Sequence, residues 1–165
     1  MANFQFTNEH RMSDVGNIIG VLEKPRLWVP ESDYPDYYYW LEKVESELGT
    51  QQKRAMLAYA GAVPVGVVLY QKHRTRHNTV EIKNISVSPD QRGRYVGSFL
   101  LKNAEVEALN SDYPECTSVV VDTKATNTGM VDFLVRHRYA PAGVTDLYGL
   151  GAGDDILFAK TLGQQ

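Results

Sequence analysis

The stretch Pro89-Asp-Gln-Arg-Gly-Arg-Tyr-Val-Gly-Ser sets two arginines, Arg92 and Arg94, and two glycines, Gly93 and Gly97, just ahead of the apolar run Phe99-Leu-Leu. The pattern predicts a strand, a loop and then a helix. A helix start presents N–H groups without an intrahelical acceptor and the positive end of the macrodipole. Glycines let an anion approach the backbone closely. The chemistry this indicates is diphosphate binding. Charge along the chain agrees: residues 1–50 carry a net −5, residues 51–102 a net +7 and residues 103–165 a net −5. A basic centre suits an anionic ligand. The acidic flanks argue against a broad surface tracking nucleic-acid phosphates.

The elements that must hold this loop can be read in order. Asn3–Thr7 alternates Phe4 and Phe6 with polar residues, as a strand does. Ser13 reads as the N-cap of a helix carrying Val15, Ile18, Ile19 and Leu22, and a second helix is predicted over Ser32–Gly49. Strands are predicted at Arg54–Ala60, Val65–Lys72 and Thr79–Ser88, the first two joined by a Gly61-Ala62 turn. In the third, Val80 and Ile82 are apolar at even positions but Ile85 and Val87 at odd ones. A period-2 strand changes face in this way only through a one-residue slip, so a β-bulge is expected near Lys83–Ile85. A helix from about Tyr95 to Asn110, a strand at Thr117–Thr123, a helix at Thr128–His137 and strands at Tyr139–Leu147 and Asp154–Leu162 complete the order. This is an α/β (α+β) pattern: a mixed sheet with helices on its faces.

Composition bounds the rest. With 43% apolar and 22% charged residues, the chain is expected to fold, as a single domain over 1–165. Its apolar runs fall short of the roughly 20 residues of a membrane span, and Met1–Glu9 is mostly polar, so a soluble cytoplasmic protein is expected. The one cysteine, Cys116, excludes an intramolecular disulfide and a cysteine-rich zinc site. His73 and His77 lack acidic or cysteine companions at ligand spacing, so no metal is expected.

Ile85-Ser-Val-Ser-Pro, then Arg92-Gly-Arg-Tyr-Val-Gly, then Phe99-Leu-Leu resembles motif A of the GCN5-related N-acetyltransferases (GNAT superfamily), which ends in Q/R-x-x-G-x-G/A before an apolar helix. Asn127 sits like the asparagine after that family's fifth strand, and the element order matches along nearly the whole chain. The resemblance implies about seven mostly antiparallel strands and four helices, with the sheet splayed between its fourth and fifth strands. It implies acetyl-CoA as cosubstrate, with Ile85, Ser86 and Val87 bordering the pantetheine. The amides of Arg92, Gly93, Arg94, Tyr95, Val96, Gly97 and Ser98 would cradle the pyrophosphate, with Asn127 near the cofactor or capping the next helix. Three positions depart from the pattern. Tyr95 stands at the motif's first glycine, Leu134 where a tyrosine often serves as general acid, and Arg138 at the glycine before the final aromatic.

Acetyl transfer to an amine requires a deprotonated nitrogen, a polarised thioester carbonyl and a stabilised thiolate. Glu81 is the candidate base, at the offsets from Val87 and Gly97 where histone-acetylating members of the family resemble it; a solvent-facing glutamate paired with a basic neighbour is the other reading. The Val87 N–H is the family-like group for the carbonyl. Tyr148 and Tyr139 are the candidate acids, though each equally reads as a packed tyrosine. Tyr34, Tyr37, Tyr38, Tyr39 and Trp40 offer either an aromatic wall for a cationic amine or ordinary core. Lys72-His-Arg-Thr-Arg-His reads as a basic turn, solvated or in contact with RNA or the CoA 3′-phosphate. The expected partners are acetyl-CoA and an amine-bearing acceptor, and homodimers are frequent in similar proteins. Two other functions stay open: a non-catalytic acyl-CoA-binding or regulatory module, and a toxin-like acetyltransferase of aminoacyl-tRNA.

Overall fold

The computed structural model describes residues 3–7, 12–23, 36–145 and 155–162. Seven strands form one sheet: β1 (Phe4–Thr7), β2 (Arg54–Ala60), β3 (Val63–Lys72), β4 (Thr79–Val87), β5 (Ser118–Lys124), β6 (Ala140–Thr145) and β7 (Asp155–Thr161). Their spatial order is β1-β2-β3-β4-β5-β7-β6. Every neighbouring pair is antiparallel except β4 with β5. Four helices accompany the sheet: α1 (Met12–Leu22), α2 (Tyr37–Gly49), α3 (Val96–Glu107) and α4 (Thr128–Arg136). The mostly antiparallel seven-strand sheet and four helices implied by the resemblance are therefore present.

Strand alternation sorts the core onto two faces. Ala55, Leu57, Val67 and Leu69 meet Val15, Ile18, Val21 and Leu22 of α1 and Leu41, Val44 and Leu48 of α2. Met56, Val68, Tyr70, Val80, Ile82, Val119, Val121 and Phe158 meet Val96, Leu100, Leu101 and Ala104 of α3 and Leu134 of α4. Gly66 lets α3 come down on β3: a Cβ there would lie 3.0 Å from Leu100 Cδ1 and 3.2 Å from the Ser86 carbonyl oxygen.

Boundaries differ from the sequence expectation by a few residues. Helix α1 starts at Met12, one residue ahead of the expected cap Ser13. The described part of the second helix begins at Tyr37, and Ser32 lies outside the described residues. Helix α3 widens into a π-helical turn over Ala108–Asp112, so its α-helical part ends before Asn110.

Candidate functional site

The site begins with a slip in β4. Ile82 faces Tyr70 of β3, yet Asn84 faces Leu69, so Lys83 is an extra residue. This is the bulge expected from the change of apolar face: Val80 and Ile82 before it, and Ile85 and Val87 after it, pack into the same α3–α4 core. Pairing of β4 with β5 stops at Ile82–Val121, and beyond that rung the two strands part. The Ser88 N–H donates to the Val65 carbonyl of β3 at 2.8 Å. Alternate residues of a strand point their backbone groups to the same side, so Ile85 and Val87 turn theirs away from β3, into the open seam. The Val87 carbonyl accepts a hydrogen bond from Arg92 Nε at 3.0 Å.

The loop after β4 closes the mouth of this seam. Pro89–Gln91 form a 3₁₀ turn in which the Arg92 N–H donates to the Pro89 carbonyl at 3.2 Å. The Arg92 amide is thus engaged, and the expected donor series starts beyond it. Gly93 (φ +74°) and Tyr95 (φ +63°) bring the chain round in left-handed conformations. The Phe99 N–H donates to the Tyr95 carbonyl at 3.0 Å. The N–H groups of Val96, Gly97 and Ser98 form the first turn of α3, which has no intrahelical acceptors. Helix α4 packs against that turn. Phe133 carbons would lie 3.5 Å from a Cβ on Gly97, and Ser98 Oγ lies 2.9 Å from His137 Nε2. Asn127 caps α4, its Oδ1 accepting from the Met130 N–H at 3.3 Å.

A cavity of about 990 Å³ joins seam and loop. Ile85, Ser86, Val87, Arg92, Gly93, Tyr95, Val96, Gly97, Ser98 and Asn127 all line it, so the expected cofactor-binding residues come together with the exception of Arg94. Asn127 both caps its helix and borders the cavity, so its two readings coincide.

The expected catalytic residues are dispersed. Glu81 is not among the lining residues; its carboxylate accepts from Gln71 Nε2 at 3.0 Å and from Lys83 Nζ at 2.9 Å. Tyr139 is buried on the α3 side of the sheet, and its hydroxyl donates to Glu105 Oε1 at 2.8 Å. Burial first, then the Glu105 carboxylate, pushes that phenol far above its ordinary range. Tyr148, like Tyr34, lies outside the described residues. Leu134 is fully buried core.

Other residues of the cavity wall escaped the sequence reading: Asp36, Lys83, Asn84, Asp122, Thr123 and His137. Asp122 had a legible signal, an aspartate inside the otherwise apolar Val119-Val-Val-Asp. Tyr37 and Trp40 line the cavity from α2, their rings 5.6 Å apart, while Tyr38 and Tyr39 are exposed. The Tyr37 hydroxyl donates to the Leu22 carbonyl, and burial raises its pKa to about 12. In the basic turn, Lys72 pairs with Glu115 and Arg74 with Glu47, the latter at 3.2 Å. His73 Nδ1 accepts from the Thr75 and Arg76 amides. Among the described residues no cluster of metal-ligating side chains occurs, and no helix is long and apolar enough to cross a membrane. Cys116 is buried, and burial raises its thiol pKa.

The sequence profile of the acetyltransferase (GNAT) family matches residues 20–138, a span that holds the bulged strand, the loop, α3, β5 and α4. The chain belongs to the acetyltransferase (GNAT) family. Solved structures of GNAT proteins share its fold. A GNAT-family protein from Desulfovibrio desulfuricans superposes with a TM-score of 0.79 at 15% identity, covering 98% of this chain and 100% of that one. A Staphylococcus aureus N-acetyltransferase gives 0.72 at 16%, covering 98% and 99%. The PaiA N-acetyltransferase of Thermoplasma acidophilum, solved in complex with coenzyme A, gives 0.70 at 15%, covering 96% and 99%. The mouse superkiller complex protein 2 is 27% identical over 105 residues, which is 62% of this chain but only 8% of the mouse protein.

Two departures from the GNAT pattern gain a physical meaning. Tyr95 and Arg138, standing where the motif has glycines, both have left-handed backbones, at φ +63° and +66°. Arg138 closes α4 in a Schellman arrangement: its N–H donates to Val135 and the Tyr139 N–H to Leu134. The backbone keeps the glycine conformation although the side chains have changed.

Proposed function

We propose that this chain transfers an acetyl group from acetyl-CoA to a primary amine by direct attack, with both substrates bound together. The observation that carries this reading is a single cavity bordered by the open edge of β4 and by the first turn of α3. The residues fit the cosubstrate. The Ile85 N–H and C=O match an amide of a pantetheine arm running along a strand edge. The N–H groups of Val96, Gly97 and Ser98 suit a diphosphate, with Arg92 beside them.

The amine is read as entering from the α1–α2 face, between Tyr37 and Trp40 of α2 and the parted strands. An alkylammonium has a pKa near 10.4 and no lone pair, so it must lose a proton before it attacks. Glu81, the base candidate that the family resemblance offers, and Asp122 are the two carboxylates on that face of β4 and β5 from which the base is drawn. The Val87 N–H is the donor aimed at the thioester oxygen, where negative charge develops. Tyr139 is committed to Glu105, so solvent is the proton source assigned to the leaving thiolate. The ion pairs of the Lys72–His77 turn neutralise part of its charge, which favours a small or peptide amine over an RNA-borne one.

The test is thiol release from acetyl-CoA, followed with a thiol reagent across alkylamines, diamines and lysine-containing peptides. Amine-dependent release is expected. Coenzyme A binding without turnover of any acceptor would favour a non-catalytic acyl-CoA-binding module.

A further inference from the structure

The last hydrogen-bonded rung between β4 and β5 is Ile82–Val121, so Lys83 and Asp122 occupy the first open one. Both line the cavity. Asp122 lies on the α1–α2 face, opposite to Val121, which packs into the α3–α4 core. Three carboxylates, Glu81, Asp122 and Asp155, act on one another about this corner of the sheet. Glu81 is held by Gln71 and Lys83, at 3.0 and 2.9 Å. Asp155 is held by the buried ammonium of Lys124 at 3.2 Å. No cation among the described residues comes within ion-pair distance of Asp122. It is half-buried, and it is the one carboxylate of the three that borders the cavity. Burial is the main cause that raises its pKa; the charges of Glu81 and Asp155 add to this and that of Lys83 opposes it. Asp36 of α2 lines the same cavity.

We propose that Asp122, at the first open rung of the β4–β5 seam, is the carboxylate that receives the acceptor's ammonium and takes its proton, with Glu81 positioning Lys83 behind it. The inference rests on the amine-acetylation reading above. The proton balance is complete. The ammonium gives one proton to Asp122. The freed nitrogen forms a bond to the thioester carbonyl carbon, and the carbon–sulfur bond breaks. The nitrogen's second proton reaches the thiolate through solvent, and Asp122 releases its own to bulk. An ammonium is attracted to this corner because Asp122, unlike Glu81 and Asp155, has no ion-pair partner among the described residues.

The experiment compares wild type, Asp122→Asn, Asp122→Glu and Glu81→Gln. It measures kcat/KM against pH with acetyl-CoA and the same amine panel, and the coenzyme A Kd by calorimetry. Asp122→Asn is expected to lose about a hundredfold in kcat/KM and the acidic limb of the profile, with the coenzyme A Kd within about threefold. Asp122→Glu should recover part of the rate. Glu81→Gln should lose less than about tenfold and keep the acidic limb. Two outcomes overturn the inference while leaving amine acetylation standing: Asp122→Asn within about threefold of wild type, or an acidic limb abolished by Glu81→Gln and kept by Asp122→Asn. A wild type that binds coenzyme A but turns over no amine overturns both.

Discussion

Ser98 Oγ lies 2.9 Å from Nε2 of His137, tying the first turn of α3 to the C-terminal end of α4. The contact braces the donor-rich turn, and the Phe133 ring, 4.5 Å from the His137 ring, completes the brace. His137→Ala should loosen that turn and weaken coenzyme A binding about three- to tenfold by calorimetry. An unchanged Kd would show that the turn holds its shape without the brace.

The same histidine gives a pH signature. Burial, with the cations Lys160 and Arg136, holds its imidazole below the ordinary value, against the smaller upward pull of Glu105. A depressed folded pKa means that the unfolded chain binds more protons in acid. This contribution to stability is complete above about pH 6.5 and is lost as pH falls through the lower folded value. The Tm of wild type should therefore drop more steeply than that of His137→Gln as pH is lowered through this window. Parallel curves would contradict it.

Left-handed backbone at a residue with a side chain costs about 1 kcal/mol or more relative to glycine. Tyr95 is 75% exposed and Arg138 is exposed as well, so neither loses much packing on truncation. Tyr95→Gly and Arg138→Gly should each stabilise the fold by about 0.5–1 kcal/mol in urea titrations. The Tyr95 N–H survives the change, so the coenzyme A Kd should move by less than about threefold. Destabilisation in either variant would mean that the side chain holds more than its backbone costs.

Glu105 is 1% exposed and accepts from Lys160 Nζ at 2.8 and 2.9 Å and from the Tyr139 hydroxyl at 2.8 Å. Glu105→Ala leaves a buried phenol and a partly buried ammonium without their acceptor, a loss of about 2–4 kcal/mol. Tyr139→Phe should cost about 1 kcal/mol in urea titrations and leave kcat within about threefold. A much larger fall in kcat would return Tyr139 to the role of acid.

Much of this was legible in the sequence because it rests on local pattern. The bulge at Lys83 follows from Val80 and Ile82 against Ile85 and Val87, since only a slip keeps all four on one face. The loop and helix start follow from Gly93, Gly97 and the apolar run behind them. Long-range pairing was not legible. That Tyr139 is bound to Glu105, 34 residues away in sequence, or that Glu81 of β4 is held by Gln71 of β3, depends on which elements meet once the sheet forms. Asp122 is visible in the sequence only as a polar residue inside an apolar strand, which does not by itself mark a site. Its placement at the opening rung appears only when β4 and β5 are seen to part after Ile82 and Val121. The Arg92 amide was expected among the free donors, but the 3₁₀ turn over Pro89–Gln91 engages it.

In the proposed function, open backbone donors at the β4 edge and the α3 start hold the nucleotide-tailed thioester. Amide chemical shifts of ¹⁵N-labelled protein, followed as coenzyme A is added, test it at those atoms. Saturable shifts are expected, concentrated on Ile85, Val87, Val96, Gly97 and Ser98. Spectra in which these amides stay fixed while coenzyme A is present in excess would contradict it.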